Sequence, residues 1–156
     1  MDAGRAYIDA LKMLGRRELS EAQVRERLAR REHDPGAIDA AVARLLAERA
    51  IDDRRVAEAI ARTETSVRRH GKLRVLRKIE SAGIAPATAK RAVDAVFEDI
   101  GPGELLEAAL RKRLRGRDQI SDKAEFARLY RYLVGQGFEP ERVLTRLKRN
   151  HTDHED

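Results

Sequence analysis

Apolar residues return at three- and four-residue spacing along almost the whole chain, as in Val24 and Leu28 or in Ile38, Val42 and Leu45, and no stretch alternates like a strand. Between them stand mostly Ala, Leu, Arg and Glu, all good helix formers. The pattern predicts an all-α protein.

Proline gives this pattern a register. Pro35, Pro86 and Pro140 each lie seven residues after an apolar residue, Leu28, Ile79 and Leu133. The first two members of each set are 51 residues apart and the next two 54. With those offsets Val24 aligns with Val75 and Leu129, Val42 with Val93 and Leu147, and Ile38 with Ala89 and Val143. Rows that stay apolar at a fixed period are the core rows of a recurring unit.

Gly83 and Gly137 share a row and suit the left-handed residue that closes a helix, and Ile84 and Phe138 follow as apolar plugs. Proline then falls in the first turn of the next helix, after Asp34, Ala85 or Glu139, where its missing N–H costs least. The first unit has Glu32 and His33 in the glycine and plug rows, so a looser turn is expected there.

Each unit needs one more helix upstream. The chain offers residues 3–14, 53–69 and 103–114 as first helices, 21–31, 72–82 and 121–135 as second, and 35–48, 86–98 and 140–149 as third. Ser20 and Ser121 are expected N-caps, and Gly101, Pro102 and Gly103 separate the second unit from the third. The expectation is three tandem three-helix repeats at 1–51, 52–101 and 102–150, forming an elongated, curved array with a polar tail at 151–156.

Charge narrows the function. Across 156 residues, 33 Lys and Arg against 27 Asp and Glu leave a net charge of +6, which favours a polyanionic partner. Aromatics make up only 4% and Trp is absent, so base stacking has little material and phosphate contact is the expected mode. The absence of Cys rules out disulfides, thiolate metal sites and cysteine nucleophiles, and fits a reducing cytoplasm. Asp2, Arg5, Asp9 and Lys12 interrupt the N-terminal apolar positions, which argues against a signal peptide or membrane span there.

The densest feature is residues 54–78. Arg54, Arg55, Arg62, Arg68, Arg69, Lys72, Arg74, Arg77 and Lys78 face only Glu58 and Glu64, a local charge of +7. On a helix Arg55, Arg62 and Arg69 fall on one solvent-facing stripe, while Arg74, Arg77 and Lys78 lie opposite Val75 and Ile79. The alternative is an ordinary solvated face. Arg111, Lys112, Arg113, Arg115 and Arg117 form a second cluster, open to phosphate or acidic-partner contact and equally to charge matching at a helix C-terminus.

Candidates for chemistry are sparse. Asp52 and Asp53 could form a carboxylate pair, yet at a helix start they read as caps. His33, His70, His151 and His154 are scattered, and the last two suggest either an adventitious metal contact or a frayed terminus. No phosphate loop, nucleophile triad or metalloprotease motif is present, so no catalytic residue, cofactor or metal is assigned.

The ordered motifs resemble the RecX family. Arg16, Arg17, Glu18 and Ser20 resemble its early Arg-Arg-Glu-x-Ser signature, and Ile51, Asp52, Asp53, Arg54, Arg55 and Ala57 its Asp-Asp motif. Arg62, Gly71, Arg74, Val75, Gly83 and Ile84 continue the pattern, and the resemblance spans about residues 5–147. Val56 and Ile60 depart from it where aromatics are usual.

The resemblance implies three three-helix repeats that bind in the groove of the RecA recombinase filament on DNA. It further implies damping of filament growth, ATPase, strand exchange and co-protease activity, without enzymatic chemistry. The expected partners are RecA and DNA, single- or double-stranded and without sequence preference; the expected state is a cytoplasmic monomer that engages no membrane. Two other readings stay open: an autonomous DNA-binding module of helix-turn-helix-like repeats, and a helical adaptor for an acidic protein.

Overall fold

The structure, a computed structural model, describes residues 2–101 and 103–151. Among the described residues the chain is helical without strands: α1 (Asp2–Leu14), α2 (Glu21–Arg30), α3 (Pro35–Ala47), α4 (Asp53–Ser66), α5 (Lys72–Ser81), α6 (Pro86–Ile100), α7 (Glu104–Leu114), α8 (Lys123–Gly135) and α9 (Pro140–Asn150). The fold is all-α, with three tandem three-helix repeats. Pro102, and residues 152–156 with His154, lie outside the described residues.

The predicted core rows are buried throughout. Leu28, Ile79 and Leu133 are each 0% exposed, as are Val42, Val93 and Leu147. Val24, Val75, Leu129, Ile38, Ala89 and Val143 are buried with them. Proline opens α3, α6 and α9 as its fixed φ favours.

By contacts the chain divides into two compact units, Met1–Ile60 with Lys78–Ala92, and Ala61–Arg77 with Val93–Asp156. The core of the first unit includes Ala6, Ala10, Met13, Val24, Leu28, Ile38, Val42 and Leu45. That of the second includes Leu106, Leu110, Leu114, Ile120, Leu129, Leu133, Phe138, Val143 and Leu147.

The turn closing each second helix places one residue in the left-handed region in all three repeats. Gly83 and Gly137 have φ of 79° and 101°, and Glu32 takes the same left-handed region at 64°. Glu32 N–H donates to Ala29 O at 2.9 Å and His33 N–H to Leu28 O at 3.3 Å, matching Gly137 to Val134 at 3.0 Å and Phe138 to Leu133 at 3.2 Å. The first turn is therefore not looser. His33 takes the place of the apolar plug by setting its Nε2 2.7 Å from the Asp9 carboxylate.

A repeated junction lies inside each unit. In the first, Ser20 Oγ donates to Ala82 O at 2.5 Å, and Gly83 sits so close to Ala22 that a Cβ on it would come within 2.5 Å of the Ala22 Cβ. In the second, Gly71 N–H donates to Gln136 O at 2.8 Å and Leu73 N–H to Gly137 O at 2.9 Å. In both, the start of one second helix docks on the turn that ends the next. Gly71 and Gly137 share a row with Ser20 and Gly83 for this reason.

Local caps differ in part from the sequence expectation. Ser20 caps α2 in a capping box with Gln23. Asp122, not Ser121, caps α8: its carboxylate accepts from Glu125 N–H at 2.8 Å, while Ser121 Oγ bonds the Glu125 side chain. Asp122 has the stronger acceptor and stands next to the first helical residue. Gly103, with φ 82°, occupies the N-cap position of α7.

Candidate nucleic-acid interface

The Asp pair is structural on both counts. Asp52 Oδ1 accepts from Arg55 N–H at 3.2 Å, capping α4, whereas Asp53 Oδ1 accepts from Glu21 N–H at 2.8 Å, satisfying the first amide of α2. One carboxylate therefore caps its own helix and the other caps a helix whose first residue lies 32 positions away in sequence.

Within the first unit Arg54 reaches Glu58 at 3.2 Å on an exposed surface. Arg55 departs from the expected solvent stripe: its Nε lies 3.0 and 2.9 Å from the two Glu18 carboxylate oxygens, and its other nitrogens donate to Arg49 O and Ala50 O at 3.0 and 3.3 Å. The Glu18 hydrogen bond raises the pKa of Arg55, keeping it firmly cationic as a tie between chain segments. Lys78 is exposed and has no ion pair among the described residues.

In the second unit α4 stops at Ser66, short of the expected residue 69. Arg69 lies beyond the helix with φ 56°, so it leaves the stripe that a continuous helix would give. The end is closed by His70, whose N–H donates to Glu64 O at 2.9 Å and whose Nδ1 sits 2.6 Å from Glu64 Oε2, both side chains buried. Arg68 reaches the same Glu64 at 3.7 Å. Glu64 is thus a buried anchor rather than a surface counter-charge.

Other predicted cations are also engaged. Lys72 pairs with Asp94 at 2.9 Å. Arg74 is half-buried and donates to Gly135 O at 3.2 Å, so it is not part of the open arc with Arg77 and Lys78. The Arg113 guanidinium lies 3.5 Å over the Tyr132 ring, and Arg117 pairs with Glu125 at 3.0 Å, holding that carboxyl below its ordinary range.

Arg62, Arg69, Arg77, Arg111, Lys112 and Arg115 remain exposed without an ion pair among the described residues. Arg115 also closes α7 in the left-handed region, its N–H donating to Arg111 O at 3.2 Å. What these groups can do chemically is attract and hold anionic oxygens. A further concentration of cations, Lys12, Arg16, Arg17, Arg27 and Arg31, is hidden along the chain by the intervening Glu18, Glu21 and Glu26.

Comparison with known proteins bears on what these cations serve. Residues 6–45 match the family described as RecX, first three-helix domain, a span running from α1 to α3. The regulatory protein RecX of Halorhodospira halophila is 32% identical over 135 residues, covering 86% of this chain and 81% of that protein. The chain belongs to the RecX family.

The RecX protein of Syntrophotalea carbinolica is 30% identical over 134 residues, 85% of this chain and 88% of its own. The crystal structure of RecX from Lactobacillus salivarius aligns with a TM-score of 0.75 at 18% identity, covering 94% of this chain and 97% of that one. A second crystal structure of a regulatory protein RecX aligns at 0.74 and 18% identity, over 94% and 71%. These two share the fold. The relatives are regulatory proteins by name, and among the described residues no helix is long and apolar enough to cross a membrane.

Proposed function

We propose that the chain is a non-enzymatic negative regulator of RecA recombinase that binds the groove of the RecA–DNA filament and limits its growth, ATPase and strand exchange. Membership of the RecX family supports the regulatory role. The observation that carries the binding mode is the set of exposed cations without an ion pair among the described residues: Arg62, Arg69 and Arg77 with the neighbouring Lys78, and Arg111, Lys112 and Arg115 at the end of α7. Arginine forks suit phosphate and carboxylate oxygens alike, so the same residues serve DNA or an acidic protein surface.

In this reading repeats at 1–51, 52–101 and 102–150 form the binding body, working as a monomer in the cytoplasm without a cofactor. Arg55, Lys72 and Arg74, engaged within the chain, support the surface rather than meet the partner. The test is RecA ATPase on single-stranded DNA with rising amounts of the protein, alongside filter binding to DNA alone. Falling ATPase under conditions where DNA alone is barely retained supports the proposal. Unchanged ATPase with tight retention of DNA alone would transfer the assignment to an autonomous DNA-binding module.

A further inference from the structure

Away from the residues assigned above, the first unit holds a depression whose charged lining is wholly cationic. Its walls are Lys12, Met13, Arg16, Arg17, Arg27 and Arg31, enclosing about 190 Å³. An adjoining depression of about 240 Å³ shares Met13, Arg27 and Arg31 and adds Arg30.

Local structure builds this place from two helix ends. Met13 O accepts from Arg16 N–H at 3.1 Å and Arg17 N–H at 3.4 Å, so the chain turns sharply after α1 and keeps both arginines beside Lys12. Arg27 and Arg31 are four residues apart at the end of α2 and share its face. Met13, 7% exposed, gives the depression an apolar floor.

Cations at helix C-termini also offset the macrodipole, and each end taken alone would be explained that way. The magnitudes do not balance, however. Two helix ends carry about half a negative charge each, and the carboxylates that interact with these cations are Glu26, paired with Arg30, and Asp9, shared by Arg31 at 3.7 Å, His33 and the nearby charge of Lys12. Lys12, Arg16, Arg17 and Arg27 have no ion pair among the described residues. Six cations against those groups leave a surplus of about three positive charges in one small concavity.

We infer that this depression binds the backbone phosphates of a nucleic-acid strand. Guanidinium forks match phosphate oxygens, and two adjoining depressions sharing a wall fit successive phosphates, which a strand supplies and a lone anion does not. The inference concerns DNA binding by the chain alone and does not rest on the RecA reading.

The test uses the full chain and fluorescence anisotropy with a labelled single strand and a labelled duplex across a salt series. The variant is Lys12→Ala, Arg16→Ala and Arg17→Ala together, all three exposed and without a side-chain hydrogen bond or ion pair among the described residues, so folding is spared. The control is Arg5→Ala, Arg91→Ala and Lys148→Ala, an equal loss of exposed charge elsewhere. If the three cations contact phosphates, the log–log salt slope flattens by about 2 on the single strand and about 3 on duplex, with the control near wild type. Equal slopes in variant and control overturn the inference, because charge then acts only at long range. Inorganic phosphate that protects the depression while the DNA slope stays at the wild-type value overturns it too, and assigns the place to a free anion. RecA ATPase is not read in this experiment, so its outcome leaves the filament proposal to its own test.

Discussion

Replacing Gly71 with alanine tests whether the repeats are joined through backbone contact. A Cβ built on Gly71 would stand 2.4 Å from Phe138 N, 2.5 Å from Gly137 C and 2.7 Å from Gly137 O, all of them backbone atoms. Ordinary contact needs about 3.5 Å, so the two segments must part by about 1 Å. The bonds from Gly71 N–H to Gln136 O and from Leu73 N–H to Gly137 O, now 2.8 and 2.9 Å, would then exceed the useful range. Two backbone hydrogen bonds at about 1 kcal/mol each, with about 1 to 3 kcal/mol of overpacking, exceed the gain of about 0.4 to 1 kcal/mol from a stiffer unfolded chain. The net expectation is a loss of about 2 to 4 kcal/mol. Gly4→Ala is the matched control: nothing lies within 4 Å of a Cβ at that helical position, so it should stabilise by about 0.5 to 1 kcal/mol. Urea unfolding followed by circular dichroism gives both numbers, and amide exchange at Gly71 and Leu73 localises the change. Gly71→Ala within about 0.5 kcal/mol of wild type would refute the argument, since that is the range of surface substitutions without structural consequence.

Three further outcomes are expected. Asp52→Ala and Asp53→Ala should each cost about 0.5 to 2 kcal/mol, the first speeding exchange of the Arg55 amide and the second that of the Glu21 amide; loss of protection at the same amide in both would contradict the split capping. Changing Arg62 and Arg69 to Ala should flatten the duplex salt slope by about 1.8, whereas Arg55→Ala should lower stability and leave the slope nearly unchanged, because Glu18 already occupies it; equal slope changes per residue would place Arg55 on the binding face. Glu107 has its carboxyl held below the ordinary 4.5, first by its hydrogen bond with Arg146. A depressed carboxylate pKa contributes stability above about pH 4.5 that is lost as pH falls through the folded value. The stability gap between wild type and Arg146→Gln should therefore narrow in acid, and a gap as wide at pH 3 as at pH 7 would exclude the linkage.

Much of the fold is legible in the chain because helices obey local rules. The spacing of Leu28, Ile79 and Leu133 from the following prolines, the turn glycines, and the Ser20 cap are all set within a few residues, and the packing follows them. The shift from Ser121 to Asp122 as a cap, and the end of α4 at Ser66 rather than residue 69, are local competitions between adjacent candidates. Glu64 and His70 decide the second by closing the helix end with a buried hydrogen bond.

Which cations are available is a different kind of question. A dense run of arginines announces charge, but availability depends on what lies within a few ångströms, and that is set by residues distant in sequence. Glu18 engages Arg55 from 37 positions away, Asp94 engages Lys72, and Tyr132 takes the guanidinium of Arg113. Lys12 and Arg27 instead line one depression, although acidic residues between them hide that concentration from any reading along the chain. By itself the sequence determined the helices, the repeat and the overall charge, since those follow from periodicity and composition. Only the tertiary structure decided which charges are neutralised and which face solvent, because Coulomb interaction depends on distance in space and not on separation along the chain.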